Sequence, residues 1–303
     1  MYRKIRFLLI LSCLVVFVQA HAQFDDPKTL EIGPHVGLSY YMGDLNPTKP
    51  FAMSDLQYGG VVRFNYNNRW TFRFDYSRAT VKADDAVVKW RPERGLNFTT
   101  NINDFSLVAE FNFWEYYTGN PKRNVSPYIF GGISLFLYTP YQRVYDADMN
   151  IDTLVPIRDH QVDTIYRAIK PKDPSNPNAP DELTFMSRVA EFFGGRTNKL
   201  GVSIPFGIGV KFALSRRMAG TVEWRMQKTL TDYLDGVGGV YLETPAKVTI
   251  KGKEFNLSDP TSNYKENQQR GNSAFNDWFG MARVSLTWKF NLPDGRGCNL
   301  SKF

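Results

Sequence analysis

The chain of 303 residues is poor in cysteine and histidine, with two and three residues respectively. Because Cys13 lies in the N-terminal apolar run, only Cys298 is expected in the mature chain, which excludes an intramolecular disulfide. His35 and His160 are then the remaining histidines, and no G-x-S-x-G motif accompanies them. After residue 22 no apolar run is long enough for a transmembrane helix. These absences argue against an enzyme and against a helical membrane protein.

The N-terminus has the three parts of a secretory signal peptide. A basic start precedes an apolar run of about a dozen residues, and an A-x-A cleavage signal ends at Ala22. We therefore predict a signal peptide over residues 1–22, whose removal lowers the net charge from +7 to +4. Lipoprotein processing at Cys13 is the alternative, and it would leave an unusually short apolar region before the cut. Export makes nucleic acid an unexpected partner despite the basic charge.

Alternation of apolar and polar residues dominates the mature chain. Every even position from Leu200 to Leu214 is apolar, while the odd positions between them carry small or polar residues. A period of two over about ten residues or more is typical of a tilted membrane-spanning strand. Six further segments alternate in this way, and an eighth, residues 125–138, is apolar on both faces, so its orientation is not predicted. The segments begin at Leu30, Tyr58, Trp70, Asp104, Val125, Leu200, Met218 and Asp277.

The connections between these segments are alternately long and short. We predict an all-β fold, an eight-stranded antiparallel up-and-down transmembrane β-barrel with long extracellular loops, over residues 23–290. The largest loops are expected at about 139–198 and 229–276, and residues 291–303 form a tail. Both termini are then periplasmic, in the outer membrane, and strand-end aromatics such as Tyr40, Tyr41 and Tyr138 are expected in the interfacial girdles. The rival is a soluble β-sandwich or lipocalin-like barrel with its apolar face turned inward.

The polar faces of the predicted strands carry charges of both signs. An eight-stranded barrel is filled by side chains, so these charges are expected to pair across the lumen rather than to line a channel. A proton or ion path is the alternative, which the narrow lumen disfavours. The predicted ion-pair network consists of Arg63, Arg73, Asp75, Glu110, Lys211, Glu223, Arg225 and Arg283.

Two loop segments are candidates for binding roles. Asp146, Asp148, Asn150 and Asp152 are spaced like a calcium loop, but the required glycine and bidentate glutamate are missing. In an extended hairpin the same spacing puts polar groups on one wet face, so no metal or cofactor is predicted. Residues 181–195 are predicted to form a short apolar helix that either plugs the barrel or docks on a partner.

The predicted periplasmic side is basic and includes the tail. The simpler explanation of this charge is contact with anionic lipid headgroups of the outer membrane, and the functional one is docking to an acidic periplasmic partner. Cys298 is either an intermolecular disulfide or an incidental thiol, and both interpretations stay open. The candidate partner-binding residues are Cys298, Arg296, Arg216, Arg217, Lys122 and Arg123.

Four segments resemble Bacteroidota outer-membrane barrels related to PorG, the small barrel component of the type IX secretion system. They are "YYMGDLNP", "PYIFGGISLFLYTP", "EWRMQKTLTDYLDGVGGVY" and the terminal strand with its cysteine-bearing tail. The resemblance is strongest at Gly43, Asp44 and Leu45 and at Thr231, Asp232, Tyr233, Leu234 and Asp235.

The resemblance implies a non-enzymatic barrel that anchors a periplasmic ring of PorK and PorN type to the outer membrane. It carries no residue-level partner site. Residues 232–235 are expected to fix the loop above the seventh predicted strand, with glycines following for turns. Two alternatives remain, a surface-binding barrel that uses its long loops and a small outer-membrane barrel enzyme.

Overall fold

The computed structural model describes residues 28–116, 124–157, 199–241, 247–272 and 276–292. Within them no helix is long and apolar enough to cross a membrane. The elements are β1 (Thr29–Met42), β2 (Asp55–Asn65), β3 (Trp70–Asp84), α1 (Asp85–Val88), a 3₁₀ turn (Pro92–Arg94), β4 (Asn97–Asn112), β5 (Val125–Asp146), β6 (Ile151–Pro156), β7 (Lys199–Ala213), β8 (Met218–Thr229), β9 (Lys247–Ile250), β10 (Lys253–Asn256) and β11 (Trp278–Asn291).

Eight of these strands close into a ring. Each pairs antiparallel with its neighbours in the order β1, β2, β3, β4, β5, β7, β8 and β11, and β11 returns to β1. The last junction, between β4 and β5, is continuous from Thr99–Tyr141 to Asn112–Tyr128. The predicted eight-stranded antiparallel barrel is therefore confirmed.

The apolar faces of the strands point outward. Leu107, Ile133 and Ile208 are each more than half exposed, while the alternate positions on the same strands are buried or half-buried. A soluble barrel would bury this face, so that alternative is wrong, and the exposed belt is the lipid-facing surface of a membrane barrel. The orientation of residues 125–138 is now defined, with Tyr128, Phe130 and Phe136 inside.

The two ends of the barrel are unequal. At one end, the short-turn end, strands are joined by residues 66–69, 113–124 and 214–217. At the other, the long-loop end, the connections are residues 43–54, 85–96, 147–198 and 230–277, which include α1, β6, β9 and β10. Both described chain ends lie at the short-turn end, where the Leu292 N–H donates to the Lys28 carbonyl at 3.1 Å.

Three strands continue beyond the belt at the long-loop end. β5 runs on through Thr139–Asp146, where a loop was predicted to begin, and β6 folds back to pair with this extension. β3 reaches Asp84 and β4 starts at Asn97, so they too are longer than their alternating segments. The extensions of β3 and β4 are stable because their inward side chains, including Val81 and Phe98, join an apolar core, and the extension of β5 contributes Val144 to a second, smaller one.

Two of the three tyrosines assigned to the exterior girdles lie elsewhere. Tyr41 and Tyr138 point inward and are almost fully buried in the apolar core, and only Tyr40 faces outward. Tyr40 is covered because the Phe51 ring lies 4.2 Å away between ring centroids. The girdle prediction was wrong here because the strands continue past the membrane boundary, which alternation alone does not mark.

Candidate functional site

The middle of the barrel holds a network of buried charges. It contains the eight predicted residues together with Asp104, each with 4% or less of its surface exposed. Five are cations and four are carboxylates, contributed by β2, β3, β4, β7, β8 and β11. The alternation of each strand turns these side chains inward, and ring closure brings them together.

Arg73 is the centre of the network. Its guanidinium lies 2.8 Å from Asp75, 2.6 Å from Glu110 and 2.5 Å from Glu223. Arg73 stands on β3 and Glu223 on β8, four places apart in a ring of eight, so this pair spans the lumen. A fully buried ion pair across the full width leaves no room for a water-filled channel at this level.

The remaining charges pair around this centre. Arg283 lies 2.8 Å from Glu223 and 3.1 Å from Asp75, and Lys211 lies 2.5 Å from Glu110. Arg63 is 3.4 Å from Glu110. Each carboxylate therefore faces at least one cation, which is the condition under which buried charges are tolerated.

One charged member of the network and one neutral partner of it were missed from the sequence. Asp104 accepts from the Gln227 amide at 3.1 Å and lies 3.6 Å from Arg225. The Tyr128 hydroxyl donates to Glu223 at 2.7 Å. Asp104 is the first residue of its alternating segment and resembles a loop residue, and Tyr128 stands in the segment that is apolar on both faces.

His35 also lies in the lumen but has no catalytic arrangement. Its Nε2 is 3.1 Å from the Tyr76 carbonyl and 3.5 Å from the Ser77 hydroxyl. Among the described residues its Nδ1 has no hydrogen-bond partner, so none of their acids orients the ring, and both His35 and Ser77 are buried. A Ser-His-Asp mechanism needs an orienting acid and an accessible serine, and this site has neither.

Between the charged network and the long-loop end, the interior of the barrel is apolar and is closed by a loop segment. Residues 230–241, here called the plug segment, insert Leu234 and Val237 among Tyr41, Phe98 and Ile102. Leu45 from the β1–β2 loop joins the same core. The predicted helix at 181–195 lies outside the described residues, so in the described part of the chain the plug segment is what fills this end.

Two buried arginines tie the loops over the plug segment. Arg94 donates to both oxygens of Asp85, at 3.1 and 2.8 Å, and to the carbonyls of Arg270 and Asp44, at 3.2 Å each. Arg270 in turn donates to the carbonyl of Gly236 at 3.1 Å. Three long connections are thus joined into one folded cap.

The plug segment is anchored through carboxyl groups. The Tyr41 hydroxyl lies 2.7 Å from Oδ2 of Asp235 and 2.6 Å from Oδ1 of Asp277. The other oxygens of these carboxyls accept from the plug backbone, Asp277 from the Leu234 N–H at 2.9 Å and Asp235 from the Val237 N–H at 2.8 Å. Burial, together with the negative charge of Asp44, raises the pKa of Asp235 to about 8.

Two further acids belong to this end. Asp44 accepts from the Asn272 N–H at 2.7 Å, and burial raises its pKa. Asp232 is 8% exposed, and neither of its carboxyl oxygens has a hydrogen-bond partner in the part of the chain that the structure describes. Burial and the Asp44 charge raise the pKa of Asp232 to about 7.

The described residues contain no metal-site candidate, because no three Asp, Glu, His or Cys side chains among them are placed so that they could hold one metal ion.

The two loop motifs of the sequence meet in this cap. A side chain at Gly43 would collide with the Tyr41 hydroxyl and with Asp277, so glycine is required there by close packing. Gly43 and Asn46 form a backbone-paired turn, and Leu45 is fully buried beneath it. Of residues 232–235, Leu234 and Asp235 carry the anchoring contacts, and the Tyr233 N–H bonds the Thr231 hydroxyl at 3.2 Å.

Of the predicted partner-binding residues, the described chain includes Arg216 and Arg217. Both are exposed in the β7–β8 turn at the short-turn end, close to the exposed Leu214. Arg69 is exposed at the same end in the β2–β3 turn. Lys122, Arg123, Arg296 and Cys298 lie outside the described residues.

Two hairpins form a separate unit at the tip of the long-loop end. Val144, Ile151 and Leu257 make a small apolar core between the β5–β6 and β9–β10 hairpins. An open groove of about 400 Å³ lies between β6 and β9. The suspected calcium-loop residues form a hairpin turn here, where Asp146 pairs with Lys253 at 2.5 Å and Asp152 with Arg143 at 2.7 Å.

Comparison with known proteins finds similar chains but no role. Residues 5–154, slightly less than half of the chain, match the model of a domain of unknown function, DUF6089. No curated protein matches. Among solved structures, the chain is similar to a major outer membrane protein from Thermus thermophilus, with 9% identity, a TM-score of 0.42 and coverage of 87% of this chain and 99% of that one.

Two other solved structures are similar at the same level. Neisserial surface protein A has 11% identity and a TM-score of 0.37, with coverage of 87% of this chain and 97% of that one. The outer membrane protein OprG from Pseudomonas aeruginosa has 11% identity and a TM-score of 0.37, with coverage of 88% and 97%. These values carry no argument about partners or activity, and the fold rests on the closed strand ring.

Proposed function

We propose that this protein is a non-enzymatic, non-conducting outer-membrane barrel that anchors a periplasmic ring of a type IX secretion or gliding machinery. The proposal has two parts. The barrel itself serves as a membrane anchor, and its short-turn end together with the tail serves as the attachment point for ring proteins of PorK and PorN type. The long-loop end is then extracellular, and both termini are periplasmic.

The anchor role is supported by the filled interior. The Arg73–Glu223 pair spans the lumen, and the plug segment closes the apolar upper part. A barrel whose interior is occupied by its own side chains offers no route for a solute, so its value to the cell lies in its surfaces. The exposed apolar belt holds those surfaces at the membrane.

The observation that carries the attachment role is the exposed basic turn at Arg216 and Arg217. It lies at the same end of the barrel as Leu292, the last described residue. Exposed arginines suit an acidic protein partner, and a single cysteine in the following tail suits a covalent link to it. Contact with anionic lipid headgroups is the competing use of the same charges.

A crosslinking experiment in living cells tests this role. A photoreactive amino acid at position 216 is expected to capture a periplasmic lipoprotein or ring protein, identified by mass spectrometry. The matched control is the same amino acid at Lys247, an exposed cation at the opposite end. Capture of lipid alone at position 216 would overturn the attachment role and leave the headgroup interpretation.

The tail is tested separately on a non-reducing gel of isolated outer membranes. A larger species that disappears with reductant and in Cys298→Ala, and that contains a ring protein, is the expected result. A monomer in both samples would make Cys298 an incidental thiol without contradicting attachment through the basic turn.

A surface-binding barrel is the second candidate, and the open groove between β6 and β9 favours it. If this function holds, the photoreactive amino acid at Val248, which lines the groove, captures an extracellular molecule while position 216 captures lipid. The paired positions therefore separate the two functions in one experiment.

A further inference from the structure

The Tyr41 hydroxyl contacts two carboxyl groups but carries a single proton. Oδ2 of Asp235 and Oδ1 of Asp277 lie 2.7 and 2.6 Å from it, and both are hydrogen-bond distances. A phenolic hydroxyl can donate to one carboxylate only. The second contact is a hydrogen bond only if that carboxyl is itself protonated and donates to the tyrosine oxygen. The geometry therefore needs one additional proton on Tyr41, Asp235 and Asp277, here called the triad.

The same two carboxyls hold the plug segment. Asp277 accepts from the Leu234 N–H and Asp235 from the Val237 N–H, at 2.9 and 2.8 Å. Leu234 is fully buried and Val237 is 2% exposed. A change at the triad is therefore transmitted directly to the two side chains that close the upper lumen.

The charges around the triad are acidic, and they also favour the bound proton. Asp232 is nine-tenths buried, its carboxyl oxygens have no hydrogen-bond partner among the described residues, and its charge and that of Asp44 act on Asp235 and Asp277. None of Asp232, Asp235 and Asp277 has an ion pair within the described residues.

The cations of the cap are engaged elsewhere. Arg94 is bonded to Asp85 and to backbone carbonyls, and its charge acts on Asp44 together with that of Arg91. Arg270 donates to the carbonyls of Gly236 and Ser258. Burial raises the pKa of Asp277 well above its usual range, in the direction that the hydrogen bonds require.

We propose that the plug segment is latched to the barrel by a proton shared among Tyr41, Asp235 and Asp277, and that loss of this proton releases the plug. Once both carboxyls are ionised, two like charges face one hydroxyl in a buried site, and one of them loses its hydrogen bond. The raised pKa values of Asp235 and Asp277 determine the direction of the pH dependence. The latch is closed at acidic and neutral pH and opens at alkaline pH, once the last shared proton is lost.

Hydrogen exchange of the full mature chain in lipid nanodiscs tests the latch. After correction for the intrinsic effect of pH, amide protection of residues 230–241 is expected to fall about tenfold or more between pH 7 and 9. Protection of β8, measured in the same samples, is expected to stay constant. A plug segment whose corrected protection does not change with pH would overturn the proposal.

The isosteric variant Asp277→Asn removes one of the two titrating carboxyls and keeps a neutral group beside Tyr41. The protection of its plug segment is expected to fall much less between pH 7 and 9 than in the wild type, whereas the control Asp146→Asn, in the distant hairpin, keeps the wild-type pH profile. A variant that retains the wild-type pH dependence contradicts the latch.

Infrared spectroscopy of the wild-type protein gives an answer that does not depend on any variant folding. The carbonyl stretch of a protonated carboxylic acid is expected at pH 7 and should be lost by pH 9. Its absence at pH 7 would show that no shared proton exists and would overturn the proposal.

Discussion

The lumen and the cap fill the same barrel in opposite ways. In the lumen, five cations and four carboxylates are buried together, and every carboxylate has a cationic partner within 3.4 Å apart from Asp104, at 3.6 Å from Arg225. In the cap, apolar side chains fill the space, and the acids at Asp232, Asp235 and Asp277 have no ion pair in the described chain.

The difference lies in how each region keeps buried charge at a tolerable cost. The lumen compensates each charge with an opposite one, so its stability depends on completeness of the network. The cap instead keeps protons on the acids around the plug segment, Asp232, Asp235 and Asp277, so its stability depends on bound protons and therefore on pH. We therefore expect the stability of the lumen to respond to the removal of single charged side chains, and the stability of the cap to respond to pH.

Breaking the lumen should have the largest effect. Glu223→Ala removes the partner of Arg73, Arg283 and Tyr128 and leaves two guanidinium groups with fewer buried acceptors. We expect the free energy of unfolding to fall by about 3–5 kcal/mol, measured by urea denaturation of the refolded barrel.

The matched control for this loss is Glu254→Ala, which breaks the exposed pair with Lys247 and should cost about 0–1 kcal/mol. Equal losses in the two variants would show that the lumen charges do not form a cooperative network.

Removing a buried arginine of the cap should have the next largest effect on stability, and this effect should be confined to the cap. Arg94→Ala leaves the buried Asp85 carboxylate and two backbone carbonyls without their donor. We expect the cap to lose about 2–3 kcal/mol, seen as faster hydrogen exchange in residues 85–96 and 230–241.

The barrel strands of Arg94→Ala should keep their protection, because the network below is untouched. Arg143→Ala, which breaks an exposed pair with Asp152, is the control and should change exchange little. Loss of protection throughout the barrel would mean that cap and lumen unfold as one unit.

A methyl group added beside Tyr41 and Asp277 tests the packing of the cap without removing a charge. A methyl group at Gly43 would overlap the Tyr41 hydroxyl and Asp277, so Gly43→Ala should destabilise the cap by about 1–2 kcal/mol. The control Gly131→Ala adds a methyl into open space on the outer wall. Similar thermal unfolding of the two variants would contradict the close packing at Gly43.

The smallest effect is expected from neutralising Asp232, and it should be an increase in the stability of the cap. Burial and the Asp44 charge raise the pKa of Asp232 to about 7, above the ordinary value near 4. A raised pKa means that the cap binds this proton more tightly than the unfolded chain, so stability falls as the pH rises from about 4 to 7.

Asp232→Asn should therefore stabilise the cap by about 1 kcal/mol at pH 8 and by less at pH 5, measured by hydrogen exchange of the plug segment. A gain that is the same at both pH values would place its origin in something other than titration.

Strand periodicity was sufficient to predict the barrel and most of its lumen. Alternation depends on local geometry, so Arg73, Glu223 and Arg283 could be assigned to the inner face from their own segments. The rule failed at Tyr41 and Tyr138, where strands continue beyond the lipid and both faces become buried.

The cap could not be predicted in this way. Its contacts join Tyr41, Asp235 and Asp277, which are separated by up to 236 positions in the chain and lie in or beside loops. No short-range pattern marks such a meeting. The resemblance drew attention to Gly43 and Asp235, but what they do became clear only from the packing around Tyr41.

The span of the Arg73–Glu223 pair has a consequence for how the barrel assembles. Its partners are 150 positions apart, and Arg283 and Asp75 are 208 apart. A partly formed sheet would carry these charges on its inner face with no partner across from them. The favourable contacts arise only when the last strands meet, so closure should be slow, cooperative and dependent on helpers that keep early strands from escaping into the lipid.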